Sequence, residues 1–152
     1  MNPRSDAQLR PATAHDLVAI ETLLGASDLP VVGVAENLDG FVVAEANGEI
    51  VGTAAIESCR DNALLRSVAV APEWRARGLG RALVTRAIAD AEARGVHALY
   101  LLTTTAESYF PKFGFQQVSR SSVPRDVQDT AEFREACPAS AAVLCRACTA
   151  QG

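Results

Sequence analysis

Leu64-Leu65-Arg66-Ser67-Val68-Ala69-Val70-Ala71-Pro72-Glu73-Trp74-Arg75-Ala76-Arg77-Gly78-Leu79-Gly80-Arg81-Ala82-Leu83-Val84 is the stretch on which the reading of the chain turns. It opens with a valine-rich apolar run, Leu64 to Val70, which Ala71-Pro72 breaks. Arg75-Ala76-Arg77-Gly78-Leu79-Gly80 follows. Leu79 to Leu83 and Val84 to Ile88 are then each one four-residue step, the spacing of a single helical face. Strand, glycine turn, helix is the layout of an anion site. The first amides of a helix have no internal partner, and the helix dipole adds partial positive charge there. Gly78 and Gly80 remove side chains that would block a close approach. Arg75, Arg77 and Arg81 add three full charges around the same turn. The ligand this predicts carries phosphate, with a pyrophosphate the best match.

On its own a Gly-x-Gly turn is also an ordinary strand-to-helix connection with solvated arginines. It lacks the third glycine of a dinucleotide fingerprint and the Gly-Lys-Ser/Thr of a nucleotide P-loop. The residues alone therefore reach a phosphate-bearing ligand and stop there.

The rest of the chain is ordinary in bulk. A length of 152 residues suits one domain, placed at 8–148 between a flexible lead at 1–7 and a tail at 149–152. The 49% hydrophobic and 21% charged content is a globular balance, and a net charge of −4 argues against general nucleic-acid binding. No apolar run reaches membrane-spanning length, and the opening MNPRSDAQLRP has no apolar signal core, so a cytoplasmic protein is expected. Cys145 and Cys148 stand at C-x-x-C spacing. With no second pair and no nearby histidine, no metal site is expected from them, from Cys59 or from Cys137.

In chain order, Gln8 to Arg10 reads as a strand closed by Pro11. Thr13 to Asp16 resembles a capping box before a helix whose buried face is Leu17, Ile20, Leu23 and Leu24. Ser27 to Asn37 is irregular. Phe41 to Glu45 and Ile50 to Glu57 are strands joined at Asn47-Gly48, a strong hairpin turn. Arg60-Asp61-Asn62 turns into the strand at Leu64, which sets Glu57 roughly across from Leu64 or Leu65. The helix from about Leu79 runs to Arg94, with Gly95 as its cap. Val96 to Thr103 is then a buried strand, parallel to Leu64–Val70 because the chain crosses over a helix between them. Further on, Ala106 to Phe113 is a short helix and Phe115 to Ser119 a strand. Pro124 to Ala136 reads as a helix burying Val127, Ala131 and Phe133, and Ala141 to Ala147 as a last strand.

Two motifs carry a resemblance. Arg75-x-x-Gly78-x-Gly80 after Ser67-Val68-Ala69-Val70 is similar to the Q/R-x-x-G-x-G/A signature of the GNAT acetyltransferases. Tyr109-Phe110-Pro111-Lys112-Phe113-Gly114-Phe115 echoes that family's x-Lys-x-Gly-Phe tail in the right order, and Leu9-Arg10-Pro11-Ala12-Thr13 its usual opening. The resemblance spans nearly the whole chain. It implies an α/β (α+β) fold with one mixed sheet of six to seven strands, flanking helices and a splayed parallel pair. It also implies that acetyl-CoA is the co-substrate and a small-molecule amine the acceptor, with no metal, nucleic acid or membrane, and it leaves a homodimer open.

The resemblance distributes roles as follows. Backbone at Val68, Ala69 and Val70 meets the pantetheine and thioester. Arg75, Ala76, Arg77, Gly78, Leu79, Gly80 and Arg81 hold the pyrophosphate, and Phe110 and Lys112 contribute to the cofactor side. Where the family often has a tyrosine acid this chain has Phe110, so Tyr109 is either that acid or a packed aromatic. Some members carry a base at the position of Leu64; Glu57 on the neighbouring strand is either the base or a hairpin carboxylate. Arg66 shares side-chain parity with Leu64 and Val68, and it binds either a substrate carboxylate or a partner such as Glu57 or Glu45. Thr103 and Thr104 are acceptor-side candidates, and Thr105 is the better helix cap. Leu64–Ser67, Leu101–Glu107 and Phe133-x-x-x-Cys137-Pro138-x-Ser140-Ala141 further resemble a GNAT branch named for arsenic resistance. That branch implies an amino-acid-like acceptor, with the organoarsenical arsinothricin one example.

Overall fold

A computed structural model describes residues 7–75, 78–103, 108–130, 133 and 141–148. Ala76, Arg77, Thr104, Thr105, Ala131 and Cys137 lie outside the described residues, as do most of the expected lead and all of the expected tail.

The elements are β1 (Gln8–Pro11), α1 (Leu17–Ala26), β2 (Phe41–Ala46), β3 (Glu49–Ser58), β4 (Ala63–Val70), α2 (Leu79–Ala93), β5 (Ala98–Thr103), β6 (Gln116–Val118), α3 (Arg125–Gln128) and β7 (Ala142–Ala147). The strands form one seven-stranded sheet in the order β1-β2-β3-β4-β5-β7-β6. β4 and β5 are parallel, paired at Ala63↔Leu99 and Leu64↔Tyr100, and both strands run on beyond that short ladder. β7 inserts between β5 and β6 and pairs antiparallel with each. This is the mixed sheet with flanking helices that the motifs predicted.

The chain divides into two compact units. Met1–Ala55 with Ser67–Ala87 makes the first, and Ile56–Arg66 with Ile88–Gly152 the second.

In the first unit, Asn47 (φ 54°) and Gly48 (φ 80°) turn the β2–β3 hairpin with both residues left-handed, as a two-residue turn that follows strand twist requires. One side of the unit is a core of Ile20, Leu24, Val34, Phe41, Val43, Ala55 and Ala69, with Leu17 and Leu23 packed on it, so the expected α1 face is the buried one. α2 packs closely where β3 carries Gly52. A Cβ there would stand 2.8 Å from Leu83 Cδ1, so this strand glycine makes the close approach possible.

Arg10 and Asp16 tie β1 to the start of α1. Arg10 Nη1 and Nη2 donate to Asp16 Oδ2 and Oδ1 at 2.8 and 3.0 Å, and Arg10 Nε donates to Glu45 Oε1 at 2.7 Å. The Thr13 amide adds a 2.8 Å bond to Asp16 Oδ2. The Arg10 hydrogen bonds outweigh burial and hold the Asp16 carboxyl down at about 2, against the usual 3.8. A depressed carboxylate stabilises the fold above its unfolded pKa and loses that contribution as pH falls through the folded value. Arg10 is a third exposed, so screening trims the contribution to about 1–2 kcal/mol. Asp16→Asn is expected to lower Tm by ~3–6 °C at pH 7. The difference from wild type should shrink between pH 4 and pH 2 in thermal melts. A gap that stays constant over that range would remove Asp16 as its source.

In the second unit, a buried cluster of Leu64, Val123, Val127 and Val143 is flanked by Cys59, Tyr100, Leu102, Val118 and Phe133. Of the helix expected from Pro124 to Ala136, the described residues give α3, Arg125–Gln128, followed by a turn at 129–130; residues 131, 132 and 134–136 lie outside the described residues. Val127 is fully buried as expected, but Asp129 already caps the turn through its amide bonds to Arg125 and Val127. The described part of the expected helix at 106–113 is a 3-10 turn, Phe110–Phe113, closed by Gly114 at φ 94°. Arg146 fixes this turn, donating from Nε to the Phe113 carbonyl at 2.8 Å and from Nη1 to Glu92 Oε2 at 2.9 Å.

Candidate active site

β4 changes character at Ser67. This residue is buried yet has φ 60°, a left-handed backbone inside a strand. Such an irregularity breaks the strict alternation of side chains. Ala69 packs into the α1 core of the first unit, and Val68 and Val70 are only half-buried. The expected shared face of Leu64, Arg66 and Val68 therefore ends at Arg66. Backbone near Val68 to Val70 is where the resemblance places the thioester, and the change of hand directly precedes it.

The described residues of the turn after β4 are compatible with the anion site expected from sequence. The Ala71 amide bonds the Val51 carbonyl at 2.8 Å, and Trp74 is buried, so the entry to the turn is anchored. Arg75 is exposed and folds back, with Nε donating to the Val70 carbonyl at 3.0 Å. Gly78 adopts φ 83° with open space around the position of a Cβ, a conformation that favours glycine. Leu79 and Leu83 are buried, while Gly78, Arg81 and Ala82 at the same helix end are exposed. The Ala82 amide makes the first intrahelical bond, to the Gly78 carbonyl at 3.1 Å. The amides before it face outward. Outward amides, a bare glycine backbone and exposed Arg81 are the donor set a pyrophosphate needs. Ala76 and Arg77 lie outside the described residues.

The second unit carries the acceptor-side candidates. Arg66 Nη1 donates to Glu57 Oε1 at 3.1 Å; the Arg66 side chain is 0% exposed and that of Glu57 14%. Of the two roles open to Arg66 from sequence, the structure displays the ion pair with Glu57. The Cys59 amide bonds the Asn62 carbonyl at 2.8 Å and closes the hairpin two residues beyond Glu57. Thr103 ends β5 opposite Ala142 and is half-buried. Thr104 is outside the described residues.

Tyr109 sits in an aromatic cluster. Its ring meets Phe110 at 5.2 Å and Phe113 at 5.4 Å, edge-on, and Lys112 Nζ lies 4.4 Å from its centroid. Phe110 is buried against Phe115, so its ring serves the packing of this turn, while Lys112 is exposed.

Three further groups fall outside the site roles assigned from sequence. Tyr100 lies opposite Leu64, hydrogen-bonds the Cys145 thiol and is pushed up to about 12 by burial. Burial, with Asp126 and Glu57 adding, also pushes the Cys59 thiol up to about 12, which leaves it a neutral, unreactive side chain at neutral pH. Burial likewise raises Cys145 and Cys148. No group of three His, Cys, Asp or Glu among the described residues could hold a metal ion. The third group is Asp126, which accepts from the Asp61 amide at 3.1 Å, from Asn62 Nδ2 at 3.2 Å and from the Val127 amide at 2.9 Å. Tyr100 could have been found by carrying the parallel pairing one step further. Asp126 could not, because Asp61 and Asn62 are more than sixty residues away in sequence.

Residues 37–117, more than half of the chain, match the model of the acetyltransferase (GNAT) domain. The chain belongs to the GNAT family. An uncharacterized N-acetyltransferase of Chlorobaculum tepidum is 31% identical over 64% of this chain and 63% of its own length. An amino-acid acetyltransferase of Ectopseudomonas mendocina is 30% identical over 76% of this chain and 29% of its own. The chain thus spans less than two thirds of either relative. Among solved structures, N-acetylglutamate synthase from Neisseria gonorrhoeae, complexed with coenzyme A and N-acetyl-glutamate, superposes with a TM-score of 0.77 at 23% identity. The match covers 94% of this chain and 35% of that one. The GNAT fold is shared with it. No helix among the described residues is long and apolar enough to cross a membrane.

Proposed function

We propose that the protein transfers the acetyl group of acetyl-CoA to the primary amine of a small amino-acid-like molecule. The observation that carries this is the glycine turn at the start of α2 in a chain of the GNAT family. Outward helix amides with Gly78 at φ 83° suit a pyrophosphate, and a half-buried Glu57 is held by Arg66. Acetyl-CoA supplies an activated acyl group whose thiolate leaves readily. The protein's part is to bind the cofactor at Gly78 to Arg81, to donate backbone amides from Val68 to Val70 to the thioester oxygen, and to take a proton from the amine at Glu57. Thr103 and Thr104 are the candidates for contacts to the acceptor. Tyr109 is the candidate that the family resemblance offers for giving a proton to the departing sulfur.

The amino-acid class draws support from the likeness to amino-acid acetyltransferases. Arsinothricin belongs among the candidates because the sequences Leu64–Ser67, Leu101–Glu107 and Phe133-x-x-x-Cys137-Pro138-x-Ser140-Ala141 resemble the arsenic-resistance branch. The test is a free-thiol assay of acetyl-CoA turnover against arsinothricin, phosphinothricin, glutamate, other amino acids, simple amines and a lysine peptide. CoA release with one group of amino acids alone establishes the reading. Tight acetyl-CoA binding in calorimetry with no release across the whole panel would point instead to a cofactor sensor. Failure to bind acetyl-CoA would overturn the assignment of the turn.

A further inference from the structure

The Glu57–Arg66 pair has a direction. The guanidinium is sealed, and the carboxylate is the member that solvent still reaches. Arg66 is set in β4 beside Leu64 and Leu65, both at most 2% exposed. A cation taken into such surroundings loses its hydration and must be compensated by close acceptors. Among the described residues, Glu57 Oε1 is an acceptor at 3.1 Å, and the bond uses one of its two carboxylate oxygens. Solvent reaches the pair at the Glu57 side chain and not at that of Arg66.

The geometry points to Arg66 as the positioning residue of the proposed transfer: from behind the carboxylate it fixes Glu57 so that Oε2 faces an incoming ammonium group. The inference rests on the acetyltransferase reading and on Glu57 as its proton acceptor. A proton passes from the ammonium nitrogen to Glu57, leaving a neutral amine. The nitrogen lone pair forms the new C–N bond at the thioester carbon. As the C–S bond breaks, the nitrogen loses its second proton and the thiolate takes one up. Glu57 then returns its proton to solvent, for a net release of one. Arg66 touches none of the reacting atoms and acts only through Glu57.

A double-mutant cycle on kcat tests this, using the acceptor that gives turnover in the amine panel. Glu57→Gln and Arg66→Met are each expected to lower kcat, the second by roughly 10–100-fold. The double variant should be no slower than Glu57→Gln by more than about twofold, because a group acting through Glu57 has nothing left to act on. Arg66→Lys, which keeps a charge behind the carboxylate, should recover about tenfold over Arg66→Met. Acetyl-CoA affinity by calorimetry should stay within about twofold in all four proteins, which separates the effect from loss of fold. If Arg66→Met fails to fold, Arg66→Lys carries the same cycle with a smaller expected loss. Losses that multiply in the double variant overturn the inference. So does an Arg66 variant that raises KM for the acceptor at constant kcat, which would place Arg66 on a substrate carboxylate. In both cases the wild type turns over, so the acetyltransferase reading survives. A wild-type protein silent across the whole panel overturns both.

Discussion

Replacing Glu57 by glutamine is expected to lower kcat by ~10²–10³-fold while leaving the KM for acetyl-CoA unchanged. The amide keeps the size and can still accept the Arg66 hydrogen bond through its oxygen, so the hairpin should survive. What it loses is the capacity to take a proton. An amino-acid amine is almost wholly ammonium at pH 7, and only the neutral form attacks a thioester. The loss should shrink with weakly basic amines that are already neutral at assay pH, since they need no base. A series of acceptors of falling basicity, measured with both proteins at saturating acetyl-CoA, gives this comparison directly. Equal losses along the series would assign Glu57 to packing, and an unchanged kcat would hand deprotonation to bulk water. Tyr109→Phe belongs in the same experiment. The Tyr109 ring is already engaged by Phe110 and Phe113. An unaltered kcat would therefore leave Tyr109 as an aromatic of that turn, with the thiolate departing unprotonated.

Local chemistry made the first unit legible. Asn47-Gly48 could hardly be anything but a hairpin turn, and both residues have the required positive φ. The i, i+3, i+4 spacing of Leu17, Ile20, Leu23 and Leu24 named the buried face of α1. The turn at Gly78 followed from a glycine where the backbone is left-handed. Ser67 was opaque because a serine carries no mark of positive φ, and the regular alternation that linked Val68 to Arg66 is interrupted there. The second unit was harder for a different reason. β7 enters the sheet between β5 and β6, a choice made by pairing across the sheet that no local pattern encodes. The apolar residues of 124–136 suggested one continuous helix, yet α3 gives way to a turn at 129–130, where no local pattern marks a break. For Glu57 and Arg66, sequence named both residues and offered their pairing as one of two outcomes. Which side of the pair faces solvent depends on packing and could not be read.

The anchor at Asp126 supports the second large prediction, a loss of stability rather than of chemistry. Its carboxylate gathers the Asp61 amide, the Asn62 side chain and the Val127 amide. Burial alone would raise its pKa, but these N–H donors outweigh burial and hold it below the ordinary value. Asn62 is itself buried, so Asp126→Ala would strand its amide group with no acceptor in a place water does not easily fill. Charge-assisted bonds of this kind are worth about 1.5–3 kcal/mol each before the neighbours relax. We expect a net loss of about 2–3 kcal/mol and a Tm lower by ~5–10 °C. Asp126→Asn should cost less, because it retains one acceptor oxygen. The hairpin tip also receives the His97 amide on the Asp61 carbonyl at 2.7 Å, so the damage should spread from α3 into the start of β5. Native-state hydrogen exchange reads this locally. Protection of the Asp61, Val127 and His97 amides should fall together, while that of the distant β1–β2 ladder stays. Unchanged protection at Asp61 would show that the carboxylate is dispensable to the hairpin. Loss of protection extending up the strands to Glu57 and Arg66 would show that the same clamp holds the ion pair in place, and kcat should then fall with it.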